Sequence, residues 1–234
     1  FPSSNETQLQ VDVDPGDLSG DGSESNPYQI SNVSELQAME DDLDANYTLV
    51  SDIDASKTAQ FNNGSGFDPV GGDPFDPFED NSPFSGSLDG NNRTVTKLTI
   101  DRPNESGVGL IGFSHGTVRN ITLTSVNITG NEDVGGIIGN QNNEATLADS
   151  SAFGDVSGSE EVGGLVGTNR GNLTDSSASG SVTGTGDFGP AGGLVGSNSG
   201  NIADSSASGS VTGTDDVGGL VGDNAGPIQN ARAS

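Results

Sequence analysis

The 234-residue chain has no cysteine and no tryptophan, one methionine, one histidine and two tyrosines. Without cysteine, neither a disulfide framework nor a thiolate metal site can form. Without tryptophan, and with only Tyr28 and Tyr47, the aromatic platform expected along a sugar-binding groove is missing. The lone histidine, His115, leaves a serine or cysteine hydrolase of the usual kind short of the base its nucleophile needs, so His115 reads as a surface turn residue. Positive charge is equally scarce: 7 basic residues face 34 acidic ones, for a net charge of −27, and lysine occurs only at Lys57 and Lys97. Nothing here neutralises phosphates, which excludes nucleic acid and disfavours an anionic membrane surface. No apolar run is long enough for a membrane-spanning helix, and no signal h-region is present, so membrane insertion is not expected.

What is abundant is glycine, in a phrase that returns five times. It reads Val108-Gly109-Leu110-Ile111-Gly112, then Val134-Gly135-Gly136-Ile137-Ile138-Gly139, and then Val162-Gly163-Gly164-Leu165-Val166-Gly167. It recurs as Ala191-Gly192-Gly193-Leu194-Val195-Gly196 and Val217-Gly218-Gly219-Leu220-Val221-Gly222, the closing glycines stepping by 27, 28, 29 and 26 residues. A fixed period in that range signals a repeat architecture. A second block follows each phrase, as in Leu173-Thr174-Asp175-Ser176-Ser177-Ala178, and a third reads Gly180-Ser181-Val182-Thr183-Gly184. Each period thus holds three short alternating runs separated by turn residues, too short for helices. Three strands per turn of about 27 residues, with coils stacked about 4.8 Å apart around a narrow lumen, make a parallel β-helix.

The Gly-Gly-Leu-Val-Gly phrase followed by Ser-Ala-x-Gly-x-Val-x-Gly resembles the GLUG-motif family of extracellular proteins. Upstream, Asn26-Pro27-Tyr28-Gln29-Ile30, Leu36-Gln37-Ala38-Met39, Tyr47 to Asp54 and Phe84 to Gly90 are similar to the lead-in found in such proteins. The resemblance covers roughly residues 26 to 234, and it implies a surface or adhesin-like protein. The expected fold is all-β, a right-handed parallel β-helix with a short N-terminal capping helix. The first repeat departs from the pattern, with one glycine between Val108 and Leu110, and reads as a transition coil.

Three regions are expected. Residues 1–25 form a polar N-terminal extension holding one alternating run, Leu9-Gln10-Val11-Asp12-Val13. Residues 26–104 form the capping part, with a helix over Ser31 to Leu43 capped by Ser31 or Asn32, and a long surface loop at 56–83. Residues 105–234 are the repeat coils.

The acidic balance fits halophile adaptation, in which acid-rich surfaces stay soluble in molar salt. It also fits cation binding. Acidic turns precede each phrase at Glu132-Asp133, Glu160-Glu161, Asp187 and Asp215-Asp216, and in a regular β-helix they stack into a carboxylate ladder that Ca2+ or other cations would relieve. The run Asp12-Val13-Asp14-Pro15-Gly16-Asp17 loosely resembles a calcium loop without the EF-hand spacing. Like charges one coil apart repel by about 0.9 kcal/mol per pair even in bulk water, so folding is expected to depend on salt.

Nine Asn-x-Ser/Thr sequons, at Asn5, Asn32, Asn46, Asn63, Asn92, Asn104, Asn120, Asn127 and Asn172, favour a glycoprotein carrying N-linked glycans outside the cell. A first residue of Phe1 instead of methionine fits a processed secreted protein. Paired carboxylates could serve glycoside hydrolysis only at the right separation, and no catalytic residue is assigned. The last coil stops at Asn230-Ala231-Arg232-Ala233-Ser234 with no amphipathic cap, leaving strand edges and apolar lumen uncovered. The expected function is therefore a non-enzymatic extracellular filament subunit that self-associates head to tail into a homopolymer. Its contacts would be Leu9, Val11 and Val13 of one copy against Ile228, Ala231 and Ala233 of another. The alternative is an adhesin or viral-fibre module of a longer chain, with a cell-surface or glycan ligand.

Overall fold

The computed structural model describes residues 17–72, 82–187 and 189–234. Its core is a stack of coils with the same strand order in each. In one coil, Glu160–Gly163 leads through a glycine corner into Val166–Asn169, then Asn172–Thr174, then Ser177–Gly184. Each segment pairs in parallel with its counterparts in the coils above and below, building a four-stranded, a five-stranded and a large 14-stranded sheet. Parallel pairing in register follows from the repeat, because identical phrases bring identical side chains over one another. The chain is a parallel β-solenoid with the expected period.

Apolar columns fill the lumen. One runs Tyr47, Leu88, Val118, Leu147, Leu173, Ile202 and Ile228 through successive pairings. A second changes size along the stack: Val95 and Leu123 in the early coils give way to Ala152, Ala178, Ala207 and Ala233 in the repeats. The glycine pair explains the change. A Cβ on Gly136, Gly164, Gly193 or Gly219 would meet the Cβ of Ala152, Ala178, Ala207 or Ala233 at 2.8, 3.0, 3.0 and 3.1 Å. Glycine and alanine therefore face each other across a lumen too narrow for anything larger. The first repeat lacks one glycine, and Leu123 stands where the alanine would be. None of the eight paired glycines of these four phrases has a positive φ, so what selects them is space.

Two ladders hold the corners. At the bend between the two strands of the large sheet, Asp149, Asp175 and Asp204 each adopt φ near +50° (49°, 49° and 50°), which aspartate tolerates better than most residues. The next residue is a buried serine: Ser176 Oγ donates to the Thr174 carbonyl at 2.6 Å and accepts the Ser150 amide at 3.2 Å. At the other corner Gln141, Asn169, Asn198 and Asn224 stack in register. Asn169 Nδ2 donates to Asn198 Oδ1 at 2.7 Å, and Asn198 Nδ2 donates to Asn224 Oδ1 at 2.7 Å. Asn169 and Asn198 are 0% and 1% exposed, so each rung satisfies a polar group that water cannot reach.

The N-terminal part belongs to the same stack. Tyr28–Ile30 and Asn46–Leu49 are the first strands of the large sheet, so position 104/105 marks where the repeat sequence begins without interrupting the sheet. The helix is shorter than predicted, Val33–Gln37, followed by a 3-10 turn at Ala38–Asp41. Its N-cap is Asn32, whose Oδ1 accepts the Ser34 and Glu35 amides at 3.0 and 3.1 Å. The 56–83 segment is not simply a surface loop over its described residues. Thr58, Phe61, Phe67 and Val70 are buried and Val70 bridges Ile111, because the wider early coils need aromatic side chains to fill them. Corner lengths vary while the faces do not: six residues separate Gly184 from Ala191, where three separate Gly158 from Val162 and Gly213 from Val217.

Candidate functional site: the acidic corner and the open end

The acids of the predicted carboxylate ladder at 132–133 and 160–161 open two strands of the four-stranded sheet. Glu132 and Glu160 are paired in register one coil apart. Asp133, Glu161 and Asp216 have φ of 52°, 48° and 41°, so the backbone turns sharply at each. Asp133 Oδ2 accepts from Asn140 Nδ2 at 2.7 Å, and Asn140 Oδ1 accepts from Arg170 at 2.6 Å, tying one acid to one of the few cations. Burial pushes the Glu161 carboxyl up to about 7, helped by Asp133, Glu160 and Glu132, with Arg170 opposing. Asp187 and Asp215 are exposed in the longer and the final corners. Among the described residues, no group of three or more carboxylates or histidines is placed to hold a metal ion.

The sequons fall into distinct environments. Asn63, Asn92, Asn104, Asn127 and Asn172 are exposed. Asn46 and Asn120 are half-buried, with Nδ2 donating to the Gly22 carbonyl at 2.9 Å and to Asp89 at 3.0 Å. Asn32 is committed to its helix cap. Asn5 lies outside the described residues, as do Leu9, Val11, Val13 and the residues 12–16 of the calcium-like run. His115 is exposed, with Nε2 3.0 Å from Asn142 Nδ2 of the next coil.

The two ends of the stack differ. At the N-terminal end, the edge of Tyr28–Ile30 is covered by an antiparallel segment: the Gln29 amide donates to the Ser19 carbonyl at 2.8 Å, and Leu18 is buried. At the other end, Val217 is 49% and Ile228 37% exposed, Ala231 is half-buried and Ala233 exposed.

The buried asparagine ladder is the feature that sequence reasoning passed over. Its signal is a fixed Gly-x-Asn offset: Gly167-Thr168-Asn169, Gly196-Ser197-Asn198 and Gly222-Asp223-Asn224. A column of asparagines reads as turn chemistry until the register shows the amides stacked.

Comparison with known proteins agrees with the geometry. The GLUG motif matches residues 158–183 and 191–212. The chain is 40% identical over 128 residues to Halomucin of Haloquadratum walsbyi, and 34% identical over 115 residues to a candidate Gly-rich membrane protein of Evansella cellulosilytica. These matches cover 52% and 47% of the chain but only 1% and 12% of the two relatives. A crystal structure of a candidate immunoglobulin A1 protease from Bacteroides ovatus superposes with a TM-score of 0.62 over 93% of this chain and 79% of that one. At 19% identity it shows a shared fold alone. No helix among the described residues is long and apolar enough to cross a membrane.

Proposed function

We propose that this GLUG-repeat β-helix is a non-enzymatic structural module of an extracellular surface protein from a halophilic archaeon. The observation that carries the reading is the unbroken register of coil on coil, in which apolar, glycine–alanine and amide columns run through the stack. A stack of near-identical coils is a rod, and each added coil lengthens it. The similarity to Halomucin and the acid-rich surface support a cell-surface setting in high salt. The exposed sequons, Asn63, Asn92, Asn104, Asn127 and Asn172, are the ones that fit N-linked glycans, because their amides are free of the contacts that hold Asn46 and Asn120.

In the finer form of the proposal, the open coil receives the alternating run Leu9-Gln10-Val11-Asp12-Val13 of a second copy as an added strand, and copies join head to tail. Such a contact does not close on itself and gives a filament. Electron microscopy in about 3 M salt, comparing the full chain with a variant lacking residues 1–20, tests it. Filaments from the first and not the second are expected. Filaments from both would place the contact elsewhere, and monomers from both would remove the head-to-tail reading.

A further inference from the structure

The outer face of the long strands is chemically unlike the rest of this acidic molecule. Residues 122–129, Ser151–Gly158, Ser177–Gly184 and Ser206–Thr212 lie side by side in parallel. Four outward columns across these four strands give sixteen positions. Thirteen carry a hydroxyl; the other three are Asn127, Phe153 and Asp155. A chain with 34 acidic residues thus places one charge on this whole surface. Near its middle sits Phe153, 37% exposed and flanked by Thr124 and Ser179 on the neighbouring strands. A face emptied of charge around an exposed aromatic has the composition of an interface centre.

We propose that this hydroxyl face docks on the same face of a second copy, as a two-fold, side-by-side contact. Three physical reasons select that occupant. A hydroxyl both donates and accepts, so a hydroxyl face is complementary to itself, whereas a carboxylate face only accepts and repels. The hydroxyls of Ser177, Ser179, Ser181, Ser206, Ser208 and Ser210 have no hydrogen-bond partner among the described residues, and are free to pair across an interface. Finally, two chains of net charge −27 meet at least cost where each presents a single charge, that of Asp155.

Four strands about 4.8 Å apart, each eight residues of about 3.3 Å, give a face of roughly 500 Å2, so a pair buries about 1,000 Å2 at the low end of specific interfaces. Gly154, Gly180 and Gly209, with φ of 150°, 131° and 117°, bend each strand midway, so the contact is modest in area and depends on Phe153 as its anchor. The remaining negative charge repels at a distance, and its screening length falls to about 3 Å in 1 M salt. Pairing is therefore a high-salt event.

Sedimentation equilibrium of the full chain in about 3 M and about 0.1 M KCl tests this. In high salt the mass moves toward twice the 23.4 kDa monomer; in low salt it does not. Phe153→Ser weakens pairing about tenfold or more. Ser179→Asp and Ser208→Asp, outward changes that leave the lumen untouched, leave only monomer, with circular dichroism confirming the fold. Val217→Asp, at the open end, still pairs, which separates this contact from head-to-tail stacking. A monomer at about 100 μM in high salt, or a pair lost in Val217→Asp and kept in the Ser179 and Ser208 variants, overturns the proposal. So does binding of a soluble neutral glucan by a chain that never self-associates, which would give the face a carbohydrate partner.

Discussion

Replacing Asn198 by alanine removes the middle rung of the asparagine ladder. Asn198 is 1% exposed, accepts from Asn169 Nδ2 at 2.7 Å and donates to Asn224 Oδ1 at 2.7 Å. The substitution leaves the Asn169 amide, fully buried, without its acceptor. Orphaning a buried donor costs about 1–3 kcal/mol, and the lost hydrogen bonds add about 1 kcal/mol. The expected loss is about 2–4 kcal/mol, a large share of a typical stability of about 5–15 kcal/mol. Asn224→Ala provides the contrast: the amide it orphans, Asn198 Nδ2, still donates to the Gly200 carbonyl at 3.3 Å, and the space vacated at exposed position 224 admits water, so the loss stays below about 1 kcal/mol. Urea unfolding followed by circular dichroism in about 3 M KCl, with midpoints compared at equal slope, measures both. Equal losses in the two variants would refute the reasoning, because the burial of the rung would then count for nothing.

Gly164→Val places side-chain atoms against the Gly193 carbonyl and Ala178, in a lumen with no slack, and should lower stability by about 3 kcal/mol or more in the same assay. An effect under about 1 kcal/mol would show that the corner yields. Glu161 has its folded pKa raised from the usual carboxylate value to about 7, so the folded state holds the proton more tightly. The contribution of Glu161 to stability is then full below about pH 4.5, falls as pH rises toward 7, and is gone above. Glu161→Gln should flatten that slope and gain about 1–2 kcal/mol above pH 7, after discounting for solvent and salt screening; a slope unchanged by the substitution would assign it to other groups. The thermal melt should rise by about 4–8 °C, on the order of 2 kcal/mol, between 0.1 M and 3 M NaCl, and a melt unmoved by salt would remove charge repulsion from the account.

The solenoid was legible in the sequence because its signal is periodic: the glycine phrases, the Leu173-type positions and the Asp-Ser-Ser bend recur in step. What was not legible is the pairing between blocks. Gly164 and Ala178 lie fourteen positions apart, and nothing in either phrase says that they touch. The asparagine ladder escaped for the opposite reason, since asparagine beside glycine is ordinary turn chemistry and only register turns it into a buried chain of amides. Over its described residues, the 56–83 segment is more buried than its composition suggests. Its Gly, Pro and Asp suggested solvent, while Phe61, Phe67 and Val70 were already present to fill the wider early coils. At the acidic corner Glu132 lies over Glu160, and sequence could not foresee that Asn140 and Arg170 would be tied to Asp133.

The six-residue corner between Gly184 and Ala191 has a wider consequence. Three additional residues there leave the strands on either side in unbroken register with their neighbours, Ser177–Gly184 with Ser151–Gly158 and Ala191–Gly192 with Glu160–Gly163. Loop length costs only slowly growing entropy, so insertions at these corners are nearly free while any change on a face is felt by every coil it touches. Such a molecule separates the part of itself that must be copied faithfully from the part that can be rewritten. A foreign peptide spliced into that corner would be displayed on a rigid edge at a height set by the choice of coil.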